Sequence, residues 1–168
     1  QRACFTALLS RLEQHGVRLL DWRDLSARQR IEATKFFQQN VLPALTPLVV
    51  DSAHPTPFLS NLCLSWVCRL REPGSEGPLY GRVKVATGLA PWIQIRENCP
   101  AGSRWFISLA ELVRQHLDDL FPGLETYDHT LFRITRDAEV EWHGDSSESV
   151  REVVAELVRL RRYEPAVR

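Results

Sequence analysis

The chain has 168 residues, with 21 Lys plus Arg against 21 Asp plus Glu, 44% apolar residues, 25% charged residues and no methionine. That length and apolar share suit a single domain with its own core and exclude a disordered tail. A formal net charge of zero excludes a domain whose main task is to coat a polyanion, while leaving room for local basic sites.

Without a methionine, Gln1 is read as something other than a translation start, and residues 1–168 as one domain excised or processed from a longer chain. Only Lys35 and Lys84 are lysines; the other cations are arginines, a bias that codon composition explains better than any ligand. No apolar run is long enough to span a bilayer. The spacing of Cys4, Cys63, Cys68 and Cys99 fits neither a zinc site nor a disulfide framework, and no Asn-x-Ser/Thr sequon is present. Four free thiols in a reducing cytoplasm are therefore the expectation.

Phe5, Leu8, Leu9 and Leu12 recur at helical spacing and Gly16 supplies a left-handed stop, which predicts an opening amphipathic helix. Val17 to Trp22 reads as extended. A second helix starts at Ser26 with Gln29 placed for a capping box, buries Ala33, Phe36, Phe37 and Val41, and ends at Pro43. Leu45 to Asp51 is a short strand candidate, and the prolines of His54–Phe58 hold a stiff connector.

From Asn61 the period changes to two. Leu62, Leu64, Trp66, Cys68 and Leu70 share one face, and after a turn-rich loop Leu79, Gly81, Val83 and Val85 alternate with Tyr80, Arg82 and Lys84, predicting an antiparallel hairpin. Trp92–Arg96 and Arg104–Ile107 are two more short strands. Ser108 and Glu111 have capping-box spacing, with Ile107 and Leu112 placed as a hydrophobic staple. The helix they open buries Leu109, Leu112, Val113, Leu117 and Leu120, and Phe121-Pro-Gly123 stops it. Thr130–Trp142 reads as a strand or bent strand pair, a last helix opens at Asp145 to Glu148, and Ala166-Val-Arg168 looks like the start of another strand. The pattern is α+β: a two-layer sandwich with a largely antiparallel sheet and helices packed on one side.

Chemical motifs are scarce. There is no Gly-rich phosphate loop, zinc-protease motif or nucleophile elbow. His143, Asp145 and Ser146 are crowded into one helix-entry loop, whereas triad members come from separate elements. Asp137, Glu139 and Glu141 alternate along a strand as a solvated face does, without converging on an ion. No metal site is assigned. Trp22, Trp66, Trp92, Trp105 and Trp142 are spread over separate elements and read as packing anchors. His116, on the apolar stripe of its helix, receives no role.

Arg136 is the oddity, because it falls on the apolar parity of its strand, where an unpaired charge would cost several kcal/mol. Three readings stay open: a bulge turns it outward, a carboxylate pairs with it, or it faces another domain or a phosphate. On residues alone the chain reads as a non-catalytic module.

Five segments in order, Leu45-Thr-Pro-Leu-Val-Val-Asp51, His54-Pro-Thr-Pro-Phe-Leu-Ser-Asn61, Leu120-Phe-Pro-Gly123, Leu131-Phe-Arg-Ile-Thr-Arg-Asp-Ala-Glu139 and Arg161-Arg-Tyr-Glu-Pro-Ala-Val-Arg168, resemble the middle or head domain of the long polyphosphate kinases that work through a phosphohistidine. The resemblance implies a parent enzyme that reversibly transfers the terminal phosphate of ATP to polyphosphate with Mg²⁺, in the cytoplasm or at the membrane periphery. It also implies that the phosphohistidine and the ATP and Mg²⁺ contacts lie mainly in other domains of the parent. No catalytic residue is carried over to this chain, no cofactor is expected in it, and His54, His116, His129 and His143 are not promoted to phosphohistidine.

By the same resemblance the head domain takes part in a homo-oligomer and frames an active-site tunnel, with Arg133 and Arg136 at most facing the phosphate path. Its partners would be the other domains of the same chain, a second subunit, and ATP and polyphosphate through those neighbours, with no nucleic acid. The rival reading is a free-standing α+β interaction module.

Overall fold

A computed structural model describes residues 2–50, 59–74, 77, 79–137, 151 and 165–167. The first helix, α1 (Arg2–Gln14), is followed by Gly16 at φ 72° and by β1 (Val17–Leu20). After a 3₁₀ turn at Trp22–Asp24 comes α2 (Ala27–Phe36), capped as its sequence requires: Ser26 Oγ accepts from the Gln29 amide, and Gln29 Oε1 accepts from the Ser26 amide at 2.9 Å. The helix runs on as a π turn through Phe37–Val41 and a 3₁₀ turn at Leu42–Ala44, where Pro43 ends it.

The remaining elements are β2 (Pro47–Val50), β3 (Leu64–Arg71), β4 (Leu79–Lys84), β5 (Trp92–Ile95), β6 (Arg104–Ser108), α3 (Leu109–Gln115), α4 (Leu117–Leu120) and β7 (Glu125–Arg133). The expected α+β class is what the structure shows. Its strands form two sheets among the described residues, β1-β6-β5 and β2-β4-β3-β7. The second is antiparallel throughout, with Ser65 opposite Lys84 and Cys68 opposite Gly81. In the first, β1 runs parallel to β6, Val17 opposite Arg104, which four residues of β1 give no local means of foreseeing.

One buried cluster joins the layers. Trp66, Cys68, Leu70 and Val83 from the inner face of the larger sheet meet Leu109, Leu112, Val113, Leu117 and Leu120 of α3 and α4. Ile93, Ile95 and Ile107 of the smaller sheet and Ala33, Phe37 and Val41 of the second helix complete it. The stripe of α1 behaves differently: Phe5, Leu8 and Leu12 are exposed, because the main neighbour of this helix among the described residues is β1.

Three expectations change. Ser108 caps α3 by accepting from the Glu111 amide at 3.1 Å, but the reciprocal half of the box is missing, since the Glu111 carboxylate turns to Arg114 and Gln115 instead. The single helix expected over Leu109–Leu120 is broken at His116, whose amide bonds Val113 O while its ring Nδ1 donates to Leu112 O at 2.9 Å, taking the carbonyl that an unbroken helix would use.

The third change is β7, which starts at Glu125 rather than Thr130 and ends at Arg133, while residues 138–142 of the expected strand or bent strand pair lie outside the described residues. Its pairing puts Phe132 opposite Ser65 and Arg133 opposite Leu64, so the parity carrying Phe132 lies on the outer face of the sheet. The expected strand start near the C-terminus is met by a bridge between Arg136 and Ala166. His54–Phe58, Glu139, Glu141, Trp142, His143, Asp145, Ser146 and most of the expected last helix lie outside the described residues.

Candidate functional site around Arg133 and Arg136

Arg133 is the last residue of β7 and is exposed. Three residues on, Arg136 is half-buried, and its surroundings answer the question its parity raised. The strand has ended before it, so its guanidinium is not driven into an apolar face. Nε and Nη2 donate instead to Leu59 O at 3.3 and 3.0 Å, while the Arg136 amide donates to Asn61 Oδ1 at 2.9 Å.

These bonds hold the turn that leads into β3. Leu62 sits in the left-handed region at φ 59°, unusual for a bulky side chain, and its amide is fixed by Ile134 O at 2.8 Å. On the other side, Asp137 N donates to Pro165 O and Val167 N to Thr135 O. Residues 134–137 therefore tie the turn at 59–62 to residues 165–167. No local sequence signal points to Leu59 O as a partner of Arg136, since residues 59 and 136 meet only through the fold.

Beside this turn, Leu62, Leu64, Val85, Leu89, Trp92 and Leu109 line an open apolar groove of about 420 Å³. Two arginines therefore end up in different settings at one end of the sheet: Arg133 with its charge in solvent, Arg136 with its guanidinium engaged on the backbone.

His116 is buried, stacked on Phe37 with centroids 4.1 Å apart and edge-on to Trp22 at 5.7 Å, with Nε2 3.2 Å from Thr34 Oγ1. Because Leu112 O only accepts, Nδ1 is the donor in that bond. His129 lies exposed on β7, edge-on to Trp66. Cys68 is buried, and desolvation together with the nearby Asp118 carboxylate pushes its thiol up to about 11, which leaves it unreactive. All four cysteines are free thiols. Among the described residues, no three His, Cys, Asp or Glu side chains gather as a metal would need.

One cluster escaped the sequence. The β3–β7 register shifts between Arg69 and Leu70, so Tyr127 is the extra residue of a bulge, and the guanidinium carbons of Arg69 and Arg71 lie 5.1 and 5.0 Å from its ring centroid. Alternation in β3 places both arginines on one face, but nothing local marks the bulge that brings Tyr127 to them.

A sequence profile described as polyphosphate kinase middle domain matches residues 28–168, most of the chain. The chain belongs to the polyphosphate kinase middle-domain family. It is 34% identical over 163 residues to a polyphosphate kinase of Mycobacterium avium, covering 94% of this chain and 22% of the relative. A polyphosphate kinase of Streptomyces coelicolor is 30% identical over 167 residues, with 99% and 22% covered. The chain thus spans about a fifth of the length of these kinases. The crystal structure of a polyphosphate kinase from Porphyromonas gingivalis shares the fold, with a TM-score of 0.68 over 80% of this chain and 24% identity. Within the family's span lie α2 from its second residue onward, all four strands of the larger sheet and the Arg133–Arg136 segment, whereas α1 and β1 precede it. No helix among the described residues is long and apolar enough to cross a membrane.

Proposed function

We propose that this chain is the middle domain of a polyphosphate kinase that reversibly transfers the terminal phosphate of ATP to polyphosphate. The family match over residues 28–168 carries this reading. Phosphoryl transfer depends on in-line positioning and on neutralising charge over the phosphoryl oxygens, with little covalent work for the surrounding protein. A net-neutral α+β domain suits the positioning part: it frames the tunnel and contributes to the contact between subunits.

In this reading ATP, Mg²⁺ and the phosphorylated histidine belong to other domains of the parent, working in the cytoplasm or at the membrane periphery, and the domain alone has no activity. Of the two arginines at this end of the sheet, Arg133, exposed at the end of β7, is the one able to present a free guanidinium fork to a phosphate. Arg136 acts through the backbone it holds, as a positioning residue.

The test uses the whole parent enzyme with ATP and Mg²⁺. Polyphosphate formation by the parent, and none by residues 1–168 alone, is the expected result. A parent that forms none would sink the proposal, and formation by the isolated domain would overturn the claim that its chemistry lies elsewhere. Arg133→Ala in the parent should raise the KM for polyphosphate without lowering Tm, whereas Arg136→Ala should lower Tm. Unchanged kinetics in a stable Arg133→Ala enzyme would remove Arg133 from the tunnel.

A further inference from the structure

The outer face of the larger sheet is uneven. Near Ser65 it is closed, and Arg82 Nη2 approaches Ser65 Oγ at 3.5 Å. At the opposite end it opens, with Arg69, Arg71, Tyr80, Tyr127 and Asp128 all exposed. Arg69 faces Tyr80 of β4 on one side and Asp128 of β7 on the other, and Arg71 is paired with Glu125. The bulge then sets the Tyr127 ring against both guanidinium groups.

We propose that Arg69 and Arg71, held over Tyr127, form a binding site for inorganic polyphosphate. The proposal rests on the polyphosphate kinase reading for its choice of polyanion. A guanidinium presents a planar fork of donors that matches phosphate oxygens two at a time, and it keeps its charge at any working pH. Arginine side chains are long and costly to immobilise, and contact with one aromatic ring limits their freedom before any ligand arrives.

Competition from within the protein is weak. The Arg71–Glu125 contact is 3.5 Å long between side chains that are each 62% exposed, a pair that solvent screens heavily. Asp128 lies across from Arg69 in the same open setting.

Geometry selects the ligand. Both guanidinium groups converge on the one Tyr127 ring, so a chain of phosphates brings an anionic group to each fork at once, whereas one orthophosphate brings a single group. The site is an open surface, suited to an extended polymer and not to an enclosed metabolite. Nucleic acid fits less well, because bases seek free aromatic faces and the Tyr127 ring is already covered by guanidinium.

The test measures binding of long-chain polyphosphate to the 168-residue chain by calorimetry, at low and moderate salt, with orthophosphate as the monovalent probe. Arg69→Gln/Arg71→Gln should weaken long-chain binding about tenfold and flatten its salt dependence, with the CD spectrum and Tm confirming an intact fold. Arg69→Lys/Arg71→Lys, which keeps charge and loses the forks, should fall between. Unchanged affinity in the folded Gln variant would overturn the site, as would orthophosphate binding as tightly as the polymer or single-stranded RNA binding more tightly than either. Polyphosphate synthesis by the parent enzyme is scored separately: its absence would count against the kinase reading, whereas synthesis alongside arginine-independent binding would count only against this site.

Discussion

A methyl group at Gly81 has no room: an ideal Cβ there would lie 2.5 Å from Phe121 Cζ and 2.9 Å from Leu70 Cδ1. Gly81 is an inward-facing strand position, opposite Cys68 and Val49, and Phe121 fills the space its missing side chain leaves. Gly81→Ala should therefore destabilise the chain by about 1–3 kcal/mol through overpacking, read as a lower urea midpoint with the slope unchanged. An unaltered midpoint would mean that the Phe121 ring moves aside freely. His116 makes the reverse case, a polar side chain that the core needs. His116→Phe keeps the stack on Phe37 but abandons Leu112 O and Thr34 Oγ1, and a buried acceptor left without its donor costs about 1–3 kcal/mol. A His116→Phe variant as stable as the parent sequence would show that stacking alone secures the ring.

Elements were legible where a local rule acts alone. The Ser26 capping box and the β3–β4 hairpin follow from residues a few positions apart, and both form as expected. The start of α3 shows where local rules run out. Its N-cap holds, but Glu111 had a choice of partners, and a bidentate pair with Arg114 at 2.7 Å, supported by Gln115, wins over one return bond to Ser108. The break at His116 and the bulge at Tyr127 depend on Thr34, Phe37 and Arg69, all far off in sequence, which is why no periodicity announces them. The candidate site divides in the same way: the abnormal position of Arg136 was visible, whereas its partner Leu59 was not. Glu111 carries a pH signature. Burial pushes its carboxyl up, but hydrogen bonds from Arg114 and Gln115 and the Arg114 charge outweigh this and hold it below the ordinary range. A depressed folded value means stability that is full above the unfolded carboxyl value of about 4.3 and is lost as pH falls through the folded one. The Tm of the wild-type chain should thus drop more steeply below pH 5 than that of Glu111→Gln; parallel curves would remove Glu111 as the cause.

At the scale of the molecule, the cluster centred on α3 matters most, because it is shared by both sheets and by α2. Elements that bury their apolar faces in one common cluster lose those contacts together, so the described fold should unfold as one cooperative unit despite its two sheets. Leu112 is fully buried at the middle of that cluster, whereas Leu8, on α1, is 49% exposed and outside it. Leu112→Ala should cost about 2–5 kcal/mol, the range for removing a large aliphatic group from a packed core. Leu8→Ala should change stability by less than about 0.5 kcal/mol in the isolated chain, as an exposed site away from any cap or pair does. Both are read by urea unfolding followed with tryptophan fluorescence, which samples Trp66 within the cluster along with the other four tryptophans, and with far-UV CD, which samples helices and strands throughout. Coincident transitions that shift together in Leu112→Ala are expected. If the two signals separate in that variant, the sheets are held by independent cores, and the domain would have to position its arginines on a hinge rather than on a single rigid frame.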